Sequence, residues 1–290
     1  MQRSTKRPTS FENMNVASGE PIVWGRRTYV MGIINVTPDS FSGDGLGSDI
    51  PAIVDQALRF QEDGADFLDI GAESTRPGSK TITVDQELTR LIPALEALAG
   101  RVSLPISVDT GKSAVARMAV QAGASIINDQ WGLMADPELA AVAAETGSPL
   151  ILMHNQHGRK YRDLVPDICA RLTEGVELAR GAGVPEGHIV LDPGIGFGKT
   201  PDHNLDVLRR LPELKALGYP LLVGTSRKST IGLVLDLPVD QRVEGTAATV
   251  ALAIAGGADI VRVHDVKEMV RVCRMSDSIV RGWRPNSWKR

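Results

Sequence analysis

Three short apolar runs in this chain end in an acid or an amide, and that recurrence narrows the folds open to it. Pro105-Ile106-Ser107-Val108-Asp109-Thr110, Ser125-Ile126-Ile127-Asn128-Asp129 and His188-Ile189-Val190-Leu191-Asp192 share the pattern. Each has the length and character of a strand buried on both faces, as in a parallel sheet. A carboxylate at the mouth of such a strand costs desolvation energy unless something pairs with it. Taken singly, each is most simply a turn cap; taken together, they point to one polar end of a sheet. After Asp192, Pro193-Gly194-Ile195-Gly196-Phe197-Gly198-Lys199-Thr200 forces an exposed turn.

The same alternation runs through most of the chain. Residues 1–19 read as a loose tail, and Ile22 to Thr28 as a small hairpin closing one end of the fold. Strands are expected at Tyr29–Asn35, Phe67–Gly71, up to Asp109, up to Asn128, Pro149–His154, up to Asp192, Pro220–Gly224 and Asp259–Val263. Helical spacing separates them: Ile53, Ala57, Leu58 and Phe60; Leu88, Leu91, Ile92, Leu95 and Leu98; a long helix from about Asp163 to Ala182. Gly64-Ala65, Gly123-Ala124 and Gly257-Ala258 stand just before strands, where glycine suits the end of a helix turning back. Eight strands alternating with helices and no linker predict α/β architecture, a single (β/α)8 TIM barrel with a short N-terminal extension. The boundaries are tail and hairpin over 1–28, barrel over 29–282 and a C-terminal tail over 283–290. An open doubly wound sheet is the alternative, but it has no need of polar groups at nearly every strand end.

Composition excludes several classes of function. A net charge of -3 spread along 290 residues supplies no basic field for nucleic acid. No apolar run reaches the ~18 residues that span a bilayer, and Met1 to Gly19 contains no signal-type core. Cys169 and Cys273 lack a CxxC or metal-ligand spacing, so both read as reduced thiols and the chain as cytoplasmic.

In a barrel, the C-terminal strand ends share the face where chemistry sits. That face is expected to hold Asn35, the loop Ser74–Arg76, Asp109, Asn128, His154, Asp192, the loop Ser226–Lys228, Arg262 and His264. Acids and amides at depth with cations at the rim suit a nitrogen heterocycle carrying an anion. Ser226 is positioned to cap the helix after the seventh strand, next to the charges of Arg227 and Lys228. Two decoys fall away. Gly194 to Thr200 looks like a phosphate loop, but the first glycine of that motif falls on Pro193. His154 and His157 lack a third metal ligand, and His154 reads as a packed strand-end residue; His188 and His203 read as surface or turn residues, and Glu73 as a loop anchor.

With those residues laid out, the chain resembles the dihydropteroate synthase family, pterin-binding enzymes on a TIM barrel. The likeness rests on Met31-Gly32-Ile33-Ile34-Asn35-Val36-Thr37-Pro38-Asp39-Ser40-Phe41-Ser42, Glu73-Ser74-Thr75-Arg76-Pro77-Gly78, Ser107-Val108-Asp109-Thr110 and Ile127-Asn128-Asp129. It continues through Leu152-Met153-His154, Leu191 to Lys199, Ser226-Arg227-Lys228-Ser229 and Arg262-Val263-His264-Asp265-Val266.

The resemblance implies condensation of 6-hydroxymethyl-7,8-dihydropterin pyrophosphate with 4-aminobenzoate, releasing pyrophosphate by an SN1-like path. By it, Asp109, Asn128, Asp192 and Lys228 hold the pterin. Asn35, through Mg²⁺, with Thr75, Arg262 and His264 holds the pyrophosphate; Arg76, Pro77, Phe197 and Ser226 form the aminobenzoate site. The catalytic set is then Asp109, Asp192, Lys228, Arg262 and His264, on a homodimer assembled through barrel helices. Loops Val36–Asp49 and Glu73–Thr81 are expected to shut out water.

The chain departs from the family in three places. The first loop reads Ser40-Phe41-Ser42-Gly43-Asp44-Gly45, with its acid displaced by one position. Gln130-Trp131-Gly132 follows Asn128-Asp129, and Asn155-Gln156-His157 follows His154. Two rival functions share the barrel: a methyltransferase moving a methyl group from methyltetrahydrofolate to a corrinoid, and a non-catalytic pterin-binding paralogue. The first has no need of Ser226-Arg227-Lys228 or the Asn35 segment; intact Asn35, Arg76, Lys228, Arg262 and His264 argue against the second.

Overall fold

The computed structural model describes residues 13–14, 22–37, 45–47, 49–73, 81–285 and 287–288. Eight parallel strands form the sheet: β3 (Tyr29–Asn35), β4 (Phe67–Gly71), β5 (Ile106–Asp109), β6 (Ile126–Asp129), β7 (Leu150–Met153), β8 (Ile189–Asp192), β9 (Leu222–Val223) and β10 (Ile260–Val263). From β3 to β8 each pairs with the next in chain order, and β10 pairs with both β3 and β9. A bridge between Leu191 and Leu221, with Leu191 N donating to Pro220 O at 2.9 Å, joins β8 to the segment entering β9. The ring thereby closes as a (β/α)8 barrel.

Helices α1 (Ile50–Asp63), α2 (Val84–Leu98), α3 (Ser113–Gln121), α4 (Glu138–Thr146), α5 (Leu164–Gly181), α6 (Pro201–Arg209), α7 (Leu211–Lys215), α8 (Ser229–Leu235), α9 (Val243–Ala255) and α10 (Val266–Val280) cover the outside. Their starts follow local chemistry. Thr83 and Thr200 open α2 and α6 with capping boxes closed by Gln86 and His203. Gly64, Gly123 and Gly257 take φ of +94°, +113° and +102° before their strands, the left-handed geometry expected of them.

Period-two alternation along each strand divides the core in two. Val30, Ile34, Leu68, Ile70, Val108, Ile127, Leu152, Leu191, Val223 and Val261 pack outward into the layer shared with the helices. Tyr29, Met31, Phe67, Ile126, Ile151, Val190, Leu222 and Ile260 fill the barrel interior near its N-terminal end. Burying a side chain such as Phe67 contributes about 2–3 kcal/mol. One step of two residues further along β4, β6, β8 and β10 come Asp69, Asn128, Asp192 and Arg262. Apolar layers thus fill the bottom of the barrel, and polar side chains the top.

The N-terminal hairpin differs from the one expected. Its strands are β1 (Asn13–Met14) and β2 (Ile22–Val23), paired antiparallel, while residues 24–27 form a turn leading into β3. The segment from Ile22 to Thr28 has no partner within itself, so its pairing comes from upstream. Met14, Ile22 and Trp24 join the interior cluster and plug the barrel floor. Among the described residues no helix is long and apolar enough to cross a membrane, and Cys169 and Cys273 are free thiols.

Candidate active site

The polar upper layer is organised around Arg262 on β10. Its Nε donates to Asp69 Oδ2 at 2.6 Å, and its second terminal nitrogen donates to Asp109 Oδ2 at 2.9 Å. Asn128 Nδ2 reaches both Asp69 oxygens, at 3.3 and 3.2 Å. Gln130 Nε2 donates to Asp109 Oδ2 as well. Both carboxylates are buried, so one guanidinium serves two acids taken largely out of water. Burial pushes the Asp109 carboxyl above the ordinary range, Arg262 pulls it back and Asp69 raises it further.

On the facing side, Asp192 Oδ1 accepts from Gly194 N at 2.7 Å. Burial also raises Asp192, against that amide and the charges of Lys228, Lys199 and Arg262. Lys228 Nζ donates to Ile195 O at 2.6 Å and sits 4.1 Å from the centre of the Phe197 ring. Burial lowers Lys228 to about 8, with Asp192 opposing.

The glycine-rich turn after β8 is clamped from beneath by Lys199. Its buried Nζ contacts His154 Nδ1 at 2.9 Å and donates to Gly194 O at 3.0 Å and Phe197 O at 3.1 Å. Lys199 therefore holds the loop that carries Ile195 and Phe197. His154 is the packed strand-end residue expected, lowered to about 3 by burial and the neighbouring ammonium. His203 serves the Thr200 cap. Glu73 anchors its loop, accepting from Ile82 N at 3.1 Å and from Lys112 Nζ, which also bonds the buried Glu87 at 2.5 Å.

Ser226 does not cap the following helix. Lys228 is the N-cap of α8 and makes no side-chain cap bond. Ser226 Oγ instead accepts from His264 N at 3.1 Å and lies 2.9 Å from His264 Nδ1, because the turn rotates the hydroxyl toward β10. Arg227, at φ +55°, turns toward Asp265, which it contacts at 2.5 and 3.1 Å. Its charge is committed to that carboxylate, and Lys228 alone of the pair reaches the cavity.

Asn128, Asp192, Phe197, Ser226, Lys228, Arg262 and His264 line one inner cavity of about 50 Å³. Asp109 lines an adjoining cleft of about 730 Å³, whose walls include Lys112, Trp131, His157 and Lys199. Gln130 and Phe197 line both and stand between them. Asn35 ends β3, its backbone carbonyl accepting from Leu46 N at 3.0 Å, and it lines neither cavity. Thr75, Arg76, Pro77 and the displaced acid Asp44 lie outside the described residues, as do most of the two loops expected to close.

Residue-by-residue reading of the sequence overlooked Asp69 and treated Gln130 only as a departure. Both obey the inward period of two: Asp69 follows Phe67 on β4, and Gln130 follows Asn128 just beyond β6. Among the described residues no three His, Cys, Asp or Glu side chains cluster as a metal site. Asp69 is already bonded to Asn128 and Arg262, so these residues would not by themselves cage a hard cation.

A catalytic face of acids, amides and cations at the C-terminal mouth of a closed barrel defines a class, and comparison with known proteins agrees. Residues 31–264 match the family model described as pterin binding enzyme. A dihydropteroate synthase of Bacillus subtilis (strain 168) is 52% identical over 254 residues, covering 88% of this chain and 89% of that protein. Among solved structures, a dihydropteroate synthase of Clostridium difficile in the presence of pteroic acid is 47% identical with a TM-score of 0.86, covering 89% of this chain and 98% of that one. A Xanthomonas albilineans dihydropteroate synthase with 4-aminobenzoic acid is 42% identical with a TM-score of 0.84, covering 89% and 95%. The chain belongs to the pterin-binding enzymes, and within them to the dihydropteroate synthases, which are transferases.

Proposed function

We propose that this site joins 6-hydroxymethyl-7,8-dihydropterin pyrophosphate to 4-aminobenzoate, giving 7,8-dihydropteroate and pyrophosphate by an SN1-like path. The observation that carries the proposal is the buried Asp109, Asn128 and Asp192 with the part-buried Lys228 and Arg262 at one end of the barrel. Acceptors on Asp109, Asn128 and Asp192 suit the donor-rich edge of a pterin, and the Lys228 ammonium suits its carbonyl side. Arg262 and His264, with Thr75, hold the pyrophosphate end. Phe197 and Ser226, with Arg76 and Pro77, receive the aromatic amine. Asn35 would hold Mg²⁺, which would supply neutralisation of the leaving group's charge.

The bond from the pterin methylene to the bridging oxygen breaks, and its electron pair leaves with pyrophosphate. The cation that remains is delocalised over the ring, close to the carboxylates of Asp109 and Asp192. In a dry interior such fixed negative charge stabilises the developing positive charge far more than it does in water. The amine nitrogen attacks the methylene and its surplus proton passes to solvent, so no strong general base is needed.

Two further expectations belong here. Leu233 and Val234 on α8, Leu252 on α9, and Met275 and Ile279 on α10 are all exposed on neighbouring helices. Such a patch supports a homodimer through α8–α10. Free thiols and the substrate chemistry support a cytoplasmic setting.

Incubating the protein with the two substrates and Mg²⁺ tests the function. Dihydropteroate and pyrophosphate are expected in equal amounts, with turnover lowered by at least ~100-fold in Asp192→Asn. Positional isotope exchange in the pyrophosphate without the amine tests the path: scrambling of a bridging ¹⁸O supports dissociation, and its absence refutes it.

A further inference from the structure

Gln130 is 6% exposed and lies between the inner cavity and the outer cleft, lining both. Its Nε2 is spent on Asp109 Oδ2, while its Oε1 is buried and has no hydrogen-bond partner among the described residues. A buried amide oxygen without a partner has lost its water without replacement. That loss is made good when a ligand donor arrives. Asp109 Oδ2 is already bonded to both Gln130 and Arg262, so Asp109 Oδ1 is its remaining acceptor for a ligand. One wall of the site therefore presents two acceptors together, Asp109 Oδ1 and Gln130 Oε1.

Two adjacent acceptors demand N–H groups on the ligand edge that meets them. In a 7,8-dihydropterin, N8 carries a hydrogen; in the fully oxidised pterin, N8 is a bare acceptor. The other polar atoms of the bicycle keep their donor or acceptor character when the ring is oxidised. An acceptor wall facing a bare N8 sets lone pair against lone pair, which binding discriminates strongly.

We propose that Gln130 is a specificity residue that, with Asp109, reads the N8–H of the pterin and so selects the reduced ring over the oxidised one. This rests on the proposed function above, and it adds a contact to the Asp109, Asn128, Asp192 and Lys228 set. Gln130 also fixes Asp109: its Nε2 and the Arg262 guanidinium hold the same oxygen, turning the other toward the ligand.

Calorimetry with 6-hydroxymethyl-7,8-dihydropterin and 6-hydroxymethylpterin tests the proposal on the unmodified protein, Gln130→Met and Gln130→Leu. The two apolar variants keep volume without the amide, so one is available should the other fold poorly. The unmodified protein is expected to favour the reduced pterin at least tenfold, and each variant to lose about tenfold of that preference, about 1.4 kcal/mol. KM for 4-aminobenzoate is expected to stay within a factor of two while KM for the pterin pyrophosphate rises. A merely structural role would weaken both pterins alike and leave their ratio unchanged; that result overturns the proposal while the synthase function stands. Failure of the unmodified protein to bind either pterin overturns both.

Discussion

Arg262 Nε on the last strand lies 2.6 Å from Asp69 Oδ2 on the second strand of the barrel, where Asp69 is fully buried. The ion pair joins residues that are 193 positions apart in the chain. It also sets the aim of the guanidinium that holds Asp109. Breaking a buried pair by removing one partner leaves an uncompensated charge and costs roughly 3–5 kcal/mol. Asp69→Ala is therefore expected to lower the urea-unfolding free energy by that amount.

Asp69→Asn keeps the shape and removes a negative neighbour of Asp109. Because Asp69 raises Asp109, the substitution is expected to lower the Asp109 pKa. Pterin binding that needs the Asp109 carboxylate would then persist to lower pH. Calorimetric titrations across the acid range check the direction; an unchanged or upward shift contradicts it.

Lys228 acts as a cation only while protonated, and burial lowers it to about 8. Activity is expected to fall as pH rises through that value. Lys228→Arg cannot deprotonate in this range, so the alkaline loss should disappear even though turnover drops, whereas Lys228→Met should lose at least ~100-fold at every pH. Initial rates from pH 6 to 10 separate the three proteins.

Lys199 couples loop geometry to stability. Burial lowers it to about 7 from 10.5, so the folded chain sheds a proton that the unfolded chain keeps between those values. Its contribution to stability accordingly rises as pH climbs from about 7 toward 10.5, and the full burial penalty applies below 7. Lys199→Met is expected to flatten that rise and, by freeing the Phe197 loop, to raise KM for 4-aminobenzoate. Urea midpoints at pH 6.5 and 9.5, together with steady-state kinetics, measure the two effects.

Gly194 stands at φ +69°, and a Cβ there would lie 1.9 Å from His154 O. No side-chain movement relieves a clash with backbone. Gly194→Ala is expected to lose at least about 2 kcal/mol of stability, combining left-handed strain with the overlap. Chemical denaturation reads the loss directly, and circular dichroism at 25 °C shows whether the barrel still forms.

Leu252 is 67% exposed and Ile279 73% exposed, on α9 and α10, which pack side by side. A Leu252→Asp, Ile279→Asp double variant should run at the monomer mass in light scattering while the unmodified chain runs at twice it. A monomeric unmodified chain would remove the dimer from the proposal.

Much of this molecule was legible in one dimension. Strand ends at Asp109, Asp192 and Asn35 fell where the apolar runs stop, because a buried parallel strand tolerates polar groups only at its mouth. Helix returns at Gly64, Gly123 and Gly257 were readable too, since left-handed backbone is a local property that glycine satisfies alone. The hairpin was misplaced because β2 pairs with Asn13–Met14, and no local signal names a strand's partner.

What the chain order determined, then, is which residues are polar at the top of which strand; periodicity and turn chemistry act over a few residues and are written locally. Closure of the barrel decided everything that depends on distance. It brought Asp69 to Arg262, turned Ser226 toward His264 and Arg227 toward Asp265, seated Lys199 beneath its own loop, and left Gln130 with one oxygen unmatched. Those pairings are governed by desolvation and directional hydrogen bonding between groups remote along the chain. Such terms exist only once the interior is dry and the strands are in register.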